Sequence, residues 1–253
     1  MLKQIVSRFI RHKRFYSFWM YLNRLSHYGL NYGVASAYAD YSGELHTIKK
    51  LKKHKGQMVV FDIGANVGDW SKFVISEYHN IDYQLHMFEP AISTFKQLKT
   101  NIKNSDNHVF HNLALGDVRK TSTLFYDHET QGCASIVIKN ADLSEQIDIK
   151  TLDEFCEEKH INNIDFLKMD VQGYEYNILQ GAKNMLAKGK IQHIQFEFDA
   201  PNIEQRLFFK DFWELLHDSF DIYKCLYDGL VKINEYSYEL ENFRCLNYLA
   251  VKK

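Results

Sequence analysis

The chain has 253 residues, 45% of them apolar, and a formal net charge of −1. This length suits one large α/β domain with an appendage and is too short for two full domains. The four cysteines form no C-x-x-C pair. The sequence therefore predicts neither a disulfide framework nor a zinc site, and it suits a reducing cytoplasm.

The start of the chain is basic, since no acidic residue precedes Asp40. Its positive charges are Lys3, Arg8, Arg11, Lys13, Arg14 and Arg24, and these six leave about −7 for the remainder. An apolar stripe falls on one helical face, formed by Leu2, Ile5, Val6, Phe9 and Ile10. Because arginines interrupt this stripe, we predict neither a signal peptide nor a membrane span.

We therefore predict a helical N-terminal extension over residues 1–55 and one domain over residues 56–253. The helix is expected to pack on the domain or on a second subunit. A surface for anionic lipid or for a phosphorylated substrate is the alternative, and would place the protein at the inner face of the membrane. Nucleic acid is not an expected partner, because no basic stripe continues into the acidic body.

After the extension, apolar runs and helical patterns alternate. The predicted strands are 58–63, 83–89 and 108–115, with helices that end near residue 78 and cover about 91–103. Short β segments are expected within 121–150, around a polar loop. Thr151 and Glu154 form a capping-box pattern that opens a helix.

The second half continues the alternation. Strands are predicted at 164–169 and 191–198, with a helix between them, another helix from about Asn202, and two late β patterns near 220–227 and 244–251. Alternating β and α elements are typical of the α/β class, with a doubly wound, mostly parallel sheet covered on both faces. Ligands in such folds bind at the carboxyl ends of the strands.

The first predicted strand ends in a turn of small residues, from Asp62 through Gly64, Asn66 and Gly68. Small residues let the backbone approach a ligand, and the next helix offers free N–H groups. Asn66 is among the few residue types that tolerate left-handed backbone. Glu89 ends the second strand, 21 residues after Gly68, where an acid can accept both hydroxyls of a ribose.

Two cofactors could use this arrangement. A dinucleotide requires G-x-G-x-x-G, and only Gly64 matches, because Asn66 and Asp69 occupy the other glycine positions. Asp69 would also repel a pyrophosphate at the helix start. S-adenosylmethionine carries no phosphate, and its ammonium and sulfonium charges suit an acidic site, where Asp62 could hold the amino group directly or through water. The pattern favours S-adenosylmethionine over a dinucleotide and over a turn without a ligand.

With these residues in view, the chain resembles the FkbM family of methyltransferases. The motifs that carry the resemblance, in the family's order, are Val59–Gly68, Phe88–Pro90, Ala114–Asp117, Thr151–Phe155 and Lys168–Glu175. The resemblance implies a class I, Rossmann-like methyltransferase fold, usually with a seven-stranded sheet, and transfer of a methyl group to oxygen. Family members often act in the biosynthesis of surface polysaccharides, lipopolysaccharide, glycolipids and polyketide-type metabolites.

The resemblance also assigns roles to residues in the cofactor site. The residues that would face the methionine moiety are Asp62, Gly64, Asn66 and Gly68. Glu89 and Pro90 would lie at the ribose. Ala114 and Leu115 would lie against adenine, with Asn112 near.

Catalysis is expected at the ends of the fourth and fifth strands. Transfer to a hydroxyl needs alignment and a general base, whereas a carboxylate acceptor needs no base. Asp170 is the leading candidate for the base or for positioning the acceptor, and holding the donor's amino group is an equal alternative. Glu197 is the second candidate and Glu175, at the start of the next helix, the third. Asp170 with Glu197 or Asp199 could instead bind a divalent cation.

Two further segments are candidates near the site. The loop Thr130–Ser135 could face the substrate, with Ser135 as a contact, or could be an ordinary surface loop. Tyr38, Tyr41 and Glu44 could form a lid over the cofactor, although simple packing is the better explanation for the tyrosines.

The function predicted from the sequence is a cytoplasmic S-adenosylmethionine-dependent O-methyltransferase. Its acceptor would be a sugar hydroxyl of a surface-polysaccharide or nucleotide-sugar precursor. Three alternatives stay open: methylation of a carboxylate or of another small metabolite, a nucleotide-sugar oxidoreductase or epimerase, and a silent methyltransferase-like binding module.

Overall fold

The structure is a computed structural model, and it describes residues 10–33, 42–49, 56–126, 134–139 and 141–253. Its strands, in chain order, are β1 Met58–Ile63, β2 Tyr83–Phe88, β3 His108–His111, β4 Ala114–Gly116, β5 Lys120–Tyr126, β6 Leu143–Thr151, β7 Phe166–Met169, β8 His193–Phe198, β9 Phe220–Leu226, β10 Gly229–Ile233 and β11 Leu246–Lys252.

The helices frame these strands. They are α1 Tyr16–Gly29, α2 Glu44–Lys49, α3 Asp69–Glu77, α4 Ile92–Asn101, α5 Leu152–Glu158, α6 Glu175–Gln180, α7 Lys183–Ala187, α8 Pro201–Glu204 and α9 Phe209–Leu216. The capping box predicted at the start of α5 is confirmed: Thr151 Oγ1 accepts the Glu154 N–H, and the Glu154 carboxylate accepts the Thr151 N–H.

The main sheet has eight strands in the order β10-β9-β11-β8-β7-β1-β2-β3. Strands β3, β2, β1, β7 and β8 are parallel, while β11 runs antiparallel to both β8 and β9. The expected doubly wound, mostly parallel sheet of a class I methyltransferase is therefore confirmed. One strand exceeds the usual seven, because β10 extends the edge as a hairpin with β9.

The strand register brings the predicted site residues to one edge of the sheet. Ile63 pairs with Phe88 on one side and with Met169 on the other, and Met169 pairs with Phe196. The residues that follow these pairs therefore emerge at the same level, where a parallel sheet presents its ligand site.

A second sheet, of order β4-β6-β5, lies beside this edge. The prediction of one strand over 108–115 was wrong, because this segment forms two strands. Strand β3 belongs to the main sheet, and β4 pairs with β6 in the second sheet. The break falls at Asn112, whose side-chain amide donates to the carbonyls of Glu89 and Pro90 at 3.0 and 2.8 Å. A local hydrophobic pattern cannot predict such a contact, because the two parts of the chain are distant in the sequence.

Two predicted helices also differ from the structure. The helix after β7 is divided into α6 and α7 near Gly181, where a Cβ atom would stand 1.9 Å from the Gly116 carbonyl oxygen. Close packing on β4 therefore interrupts the helix. The helix predicted from Asn202 is the short α8, which begins at Pro201, and α9 follows separately.

Helix α1 of the N-terminal extension is attached to the domain at its end and not along its length, since none of its residues is buried. The contact is made after it, where Tyr32 enters the main core and Gly33 N–H donates to the Cys245 carbonyl at 2.8 Å. Of the predicted apolar stripe only Ile10 is described; residues 2–9 lie outside the described ranges. No helix among the described residues is both long and apolar enough to cross a membrane.

Candidate active site

The turn after β1 has the left-handed backbone that its sequence suggests. Asn66 has φ +49°, and Gly64 and Gly68 have φ +79° and +93°. A Cβ atom on Gly64 would lie 1.9 Å from the Asp170 carbonyl oxygen, so glycine lets the ends of β1 and β7 meet. Gly68 instead packs against α4 side chains and does not line the cavity described next.

A cavity opens where the ends of β1, β2 and β7 meet the second sheet. The empty space at this position, part of it open to solvent, amounts to about 590 Å³. Its walls combine a few polar groups with many apolar ones, and no lysine, arginine or histidine is among the described residues that line it. The lining residues are Ile63, Gly64, Asn66, Phe88, Glu89, Pro90, Leu113, Ala114, Leu115, Leu124, Ala134, Ile136, Asp170, Val171, Gln172 and Tyr174.

Glu89 forms one polar wall of the cavity. Its two carboxylate oxygens accept the backbone N–H groups of Asn66 and Ala91, at 3.0 and 2.9 Å. A carboxylate offers about four lone-pair sites, so this geometry leaves room for further donors such as ribose hydroxyls. Burial raises the pKa of Glu89 to about 7, although the two backbone bonds act in the opposite direction.

Asp62 occupies a different place from the one expected of a direct cofactor ligand. It is fully buried, it does not line the cavity, and both of its carboxylate oxygens are engaged. Ser71 Oγ donates to one at 2.7 Å, and Lys168 Nζ lies 3.4 Å from the other. Direct contact with an amino group would displace one of these partners, so contact through water stays the simpler form of the prediction.

Asp170 forms the opposite polar wall. Lys168 Nζ lies 3.5 Å from one carboxylate oxygen, and Gln172 Nε2 donates to the other at 3.3 Å. Gln172 has φ +55°, a strained value for a residue with a side chain, and it also lines the cavity. Ser135 is buried and donates to the Gln172 carbonyl at 3.0 Å, so it secures this turn. Residues 130–133 of the same loop lie outside the described ranges.

Glu175, the third catalytic candidate, lies beneath the site. One carboxylate oxygen accepts the Val171 and Gly173 N–H groups at 2.8 and 3.4 Å, which holds the turn that carries Gln172. Burial, and then the charges of Asp199 and Asp170, raise the pKa of Glu175 to about 8. Glu175 does not line the cavity, so its position is that of a residue that supports the site.

Glu197 and Asp199 end β8 beside Asp170. Glu197 is buried and accepts the Cys245 thiol at 2.5 Å, while Asp199 is partly exposed. Burial, and then the charge of Asp170, raise the pKa of both carboxyl groups, that of Asp199 to about 7. Neither residue lines the cavity. Among the described residues, no group of three or more His, Cys, Asp or Glu side chains is arranged to hold a metal ion.

Sequence reasoning missed a buried polar network under the site. Lys168 is buried among Asp62, Asp170 and Glu44; burial by itself would lower its pKa, but these carboxylates raise it above the ordinary value. A lysine inside an otherwise apolar strand was the available signal. Glu44, suggested for a lid, lies buried beneath the sheet and accepts Gln195 Nε2 at 2.7 Å. Tyr38 and Tyr41 lie outside the described residues.

A comparison with protein-family models matches residues 62–227 to the methyltransferase FkbM domain. The chain belongs to the FkbM methyltransferase family. The match covers the cavity, both of its acidic walls and β8, and it ends before β10 and β11. S-adenosylmethionine is the methyl donor of this family, and it is the cofactor of this chain. A comparison with curated protein sequences gives no match.

Solved structures similar to this chain include methyltransferase FkbM from Methylobacillus flagellatus KT, at 14% identity and a TM-score of 0.48. That alignment covers 80% of this chain and 47% of the other, so the chain spans about half the length of that protein. Another is the plantazolicin methyltransferase BpumL in complex with SAH, at 11% identity and a TM-score of 0.46, covering 86% and 87% of the two chains. A third is human methyltransferase 10 domain containing protein, at 10% identity and a TM-score of 0.44, covering 83% and 80%.

Proposed function

We propose that this FkbM methyltransferase transfers a methyl group from S-adenosylmethionine to a hydroxyl group, and that the acceptor is a sugar of a surface-polysaccharide or nucleotide-sugar precursor. The observation that carries the hydroxyl acceptor is the position of Asp170. Asp170 lines the same cavity as Glu89, and its charge acts on the carboxyl groups of Glu197 and Asp199 at the end of β8. The sugar acceptor rests on the family resemblance alone.

The donor fits the residues of the cavity. Glu89 keeps acceptor capacity for ribose hydroxyls, while Leu113, Leu115, Leu124 and Ile136 supply apolar surface for an adenine ring. Within the described part of the chain, the lining carries acidic groups and no basic side chain, which suits a cationic donor. The same feature opposes a pyrophosphate, so it argues against a nicotinamide dinucleotide and against the oxidoreductase or epimerase alternative.

The acidic wall also favours a neutral acceptor. A carboxylate acceptor would approach the Asp170 carboxylate, and two like charges in one cavity repel each other. A hydroxyl brings no charge and can donate its hydrogen to Asp170. The arrangement thus supports O-methylation of an alcohol over methylation of an acid.

The chemistry is an in-line displacement. When bound, S-adenosylmethionine supplies an electrophilic methyl group on a sulfonium leaving group. The acceptor oxygen forms the new C–O bond as the S–C bond breaks, and the hydroxyl proton passes to a carboxylate. Asp170 is positioned to orient the hydroxyl, and Lys168 holds the Asp170 carboxylate in place. Alignment of this kind and general base catalysis each account for large rate factors.

The pH dependence distinguishes the base. Asp199 has a pKa of about 7 and must be deprotonated to accept a proton. If Asp199 serves as the base, directly or through Asp170, turnover rises as the pH increases through about 7 and then levels off. Asp199→Asn should abolish this rise, and a rise of equal size in the variant would remove Asp199 from the mechanism.

The proposal is tested by incubating the purified full chain with S-adenosylmethionine and a panel of nucleotide sugars, free sugars and carboxylic acids. The expected product is a sugar that gains one methyl group, detected by mass spectrometry, together with binding of S-adenosylhomocysteine in calorimetry. Binding of S-adenosylhomocysteine without methylation of any acceptor would favour the silent binding module. Tight binding of NAD with no binding of S-adenosylhomocysteine would contradict the cofactor itself.

The cellular location in the proposal is the cytoplasm. The scattered positions of the four cysteines in the sequence, with no C-x-x-C pair, suit a reducing compartment.

A further inference from the structure

Helix α1 exposes an apolar stripe that the fold does not use. Phe18, Tyr21, Leu25 and Tyr28 are spaced by three or four residues, so they fall on one side of the helix. All four side chains are exposed, by 52, 63, 55 and 76%. A solvent-facing row of large apolar side chains is unusual on a soluble domain and marks an interaction surface.

The end of α1 is fixed to the domain, which makes the stripe a defined surface. Asn31 Nδ2 donates to the Cys225 carbonyl at 3.2 Å, and Lys224 Nζ donates to the Tyr32 hydroxyl at 2.9 Å. Tyr32 itself lies in the main core. The helix therefore extends from an anchored base while its own residues stay outside the core.

The charge around the stripe is of one sign. Arg11, Lys13 and Arg14 are exposed just before α1, Arg24 lies on it, and the chain has no acidic residue before Asp40. The rest of the chain carries about −7. An anionic surface would attract this end of the molecule and repel the remainder, so the charge distribution gives an orientation as well as an attraction.

We infer that α1, with the basic residues before it, docks the protein on an anionic lipid surface. Aromatic side chains with a polar edge, such as Tyr21 and Tyr28, suit the boundary between headgroups and acyl chains. Pairing of α1 with the same helix of a second copy would bring two basic segments into one interface, and the chain has no acidic residue before Asp40 to offset their repulsion. The charge therefore favours lipid. This inference is independent of the proposed acceptor.

Vesicle sedimentation with the full chain tests the inference. Vesicles of phosphatidylglycerol and phosphatidylcholine should retain the protein, vesicles of phosphatidylcholine alone should retain much less, and added salt should release it. Two variants should lose the binding: Phe18→Ser with Leu25→Ser, and Arg11→Gln with Lys13→Gln and Arg14→Gln. At about fivefold per basic residue, the second variant should bind about 10²-fold more weakly.

Matched controls come from elsewhere on the surface. Tyr238→Ser removes another exposed aromatic side chain, and Lys96→Gln with Lys99→Gln and Lys103→Gln removes three exposed charges on and after α4. Both should bind vesicles as the parent does, and all variants should still bind S-adenosylhomocysteine, which shows that they are folded. Equal loss in the controls, or no preference for anionic vesicles, would overturn the inference. So would a dimer in solution that the Phe18 and Leu25 variant dissociates, with no vesicle binding by the parent.

Discussion

Two sets of carboxylates lie at the same edge of the sheet and are stabilised in different ways. At the end of β2, Glu89 lines the cavity and accepts two backbone N–H groups. At the ends of β7 and β8, Asp170, Glu197 and Asp199 lie close enough to influence one another, and Lys168 is their nearest buried cation among the described residues. The first arrangement suits recognition of neutral hydroxyls, while the second concentrates negative charge where a proton must be accepted.

The difference shows how one protein can give neighbouring acids separate tasks. The pKa of Glu89 and that of Asp199 both rise to about 7, and burial is the main cause at both. Backbone hydrogen bonds oppose the rise at Glu89, whereas the charge of Asp170 adds to it at Asp199. We expect a variant at β2 to change donor binding and a variant at β7 to change turnover. Four measurements test this division.

The largest effect is expected for Asp170→Asn, which keeps the size of the side chain and removes its charge. Turnover should fall by about 10²–10⁴-fold if Asp170 accepts or directs the hydroxyl proton, while affinity for S-adenosylhomocysteine should change little. Asp148→Asn, an exposed acid on β6, is the control and should keep parental turnover. A parallel loss of donor affinity would instead assign Asp170 to the donor's amino group, and unchanged turnover would remove it from the active site.

The next effect concerns Lys168, the buried cation that pairs with Asp62 and Asp170. Lys168→Met leaves Asp62 and Asp170 buried without their partner, and breaking a buried pair in this way costs about 3–5 kcal/mol of unfolding free energy. Lys72→Met breaks the exposed pair with Asp69 and should cost less than about 1 kcal/mol. Urea unfolding compares the two. Similar losses in both variants would show that the buried network contributes no more than a surface pair.

A smaller effect is expected at the end of β2. Glu89→Ala should weaken binding of S-adenosylhomocysteine by about 10–150-fold, because hydrogen bonds to a charged acceptor contribute about 1.5–3 kcal/mol. The control is Glu145→Ala, since Glu145 accepts the Ile92 N–H at 3.3 Å but does not line the cavity. Calorimetry gives both affinities. A Glu89 variant that binds S-adenosylhomocysteine as the parent does, but turns over more slowly, would assign Glu89 to catalysis and not to donor binding.

A fourth effect is a change in how the free energy of unfolding depends on pH. The pKa of Glu175 rises from 4.5 to about 8 on folding, so the folded state holds its proton more tightly than the unfolded state. Between these values the free energy of unfolding should fall as the pH rises. Glu175→Gln removes this contribution, so the decline from about pH 5 to pH 8 should be shallower. An identical decline in parent and variant would show that Glu175 titrates normally.

Short sequence patterns correctly predicted the strands and the helix start that depend on neighbouring residues in the chain. The strands Met58–Ile63 and Tyr83–Phe88 were found within one residue of their predicted ends, because buried parallel strands read as continuous apolar runs. Thr151 and Glu154 specified the start of α5 through their own hydrogen bonds. Left-handed backbone at Asn66 followed from its side chain. The carboxyl ends that carry Glu89 and Asp170 were located in the same way.

The sequence by itself thus determined the α/β order, the family motifs and the edge of the sheet at which the chemistry lies. The tertiary structure determined which buried polar side chains pair with one another. Lys168 meets Asp62 across 106 residues of chain, and Glu44 meets Gln195 across 151. A buried charge or amide must find a partner to offset its loss of hydration, but the partner is chosen by packing and not by spacing along the chain. For this reason the acids at the strand ends were predictable, and the network that separates their tasks was not.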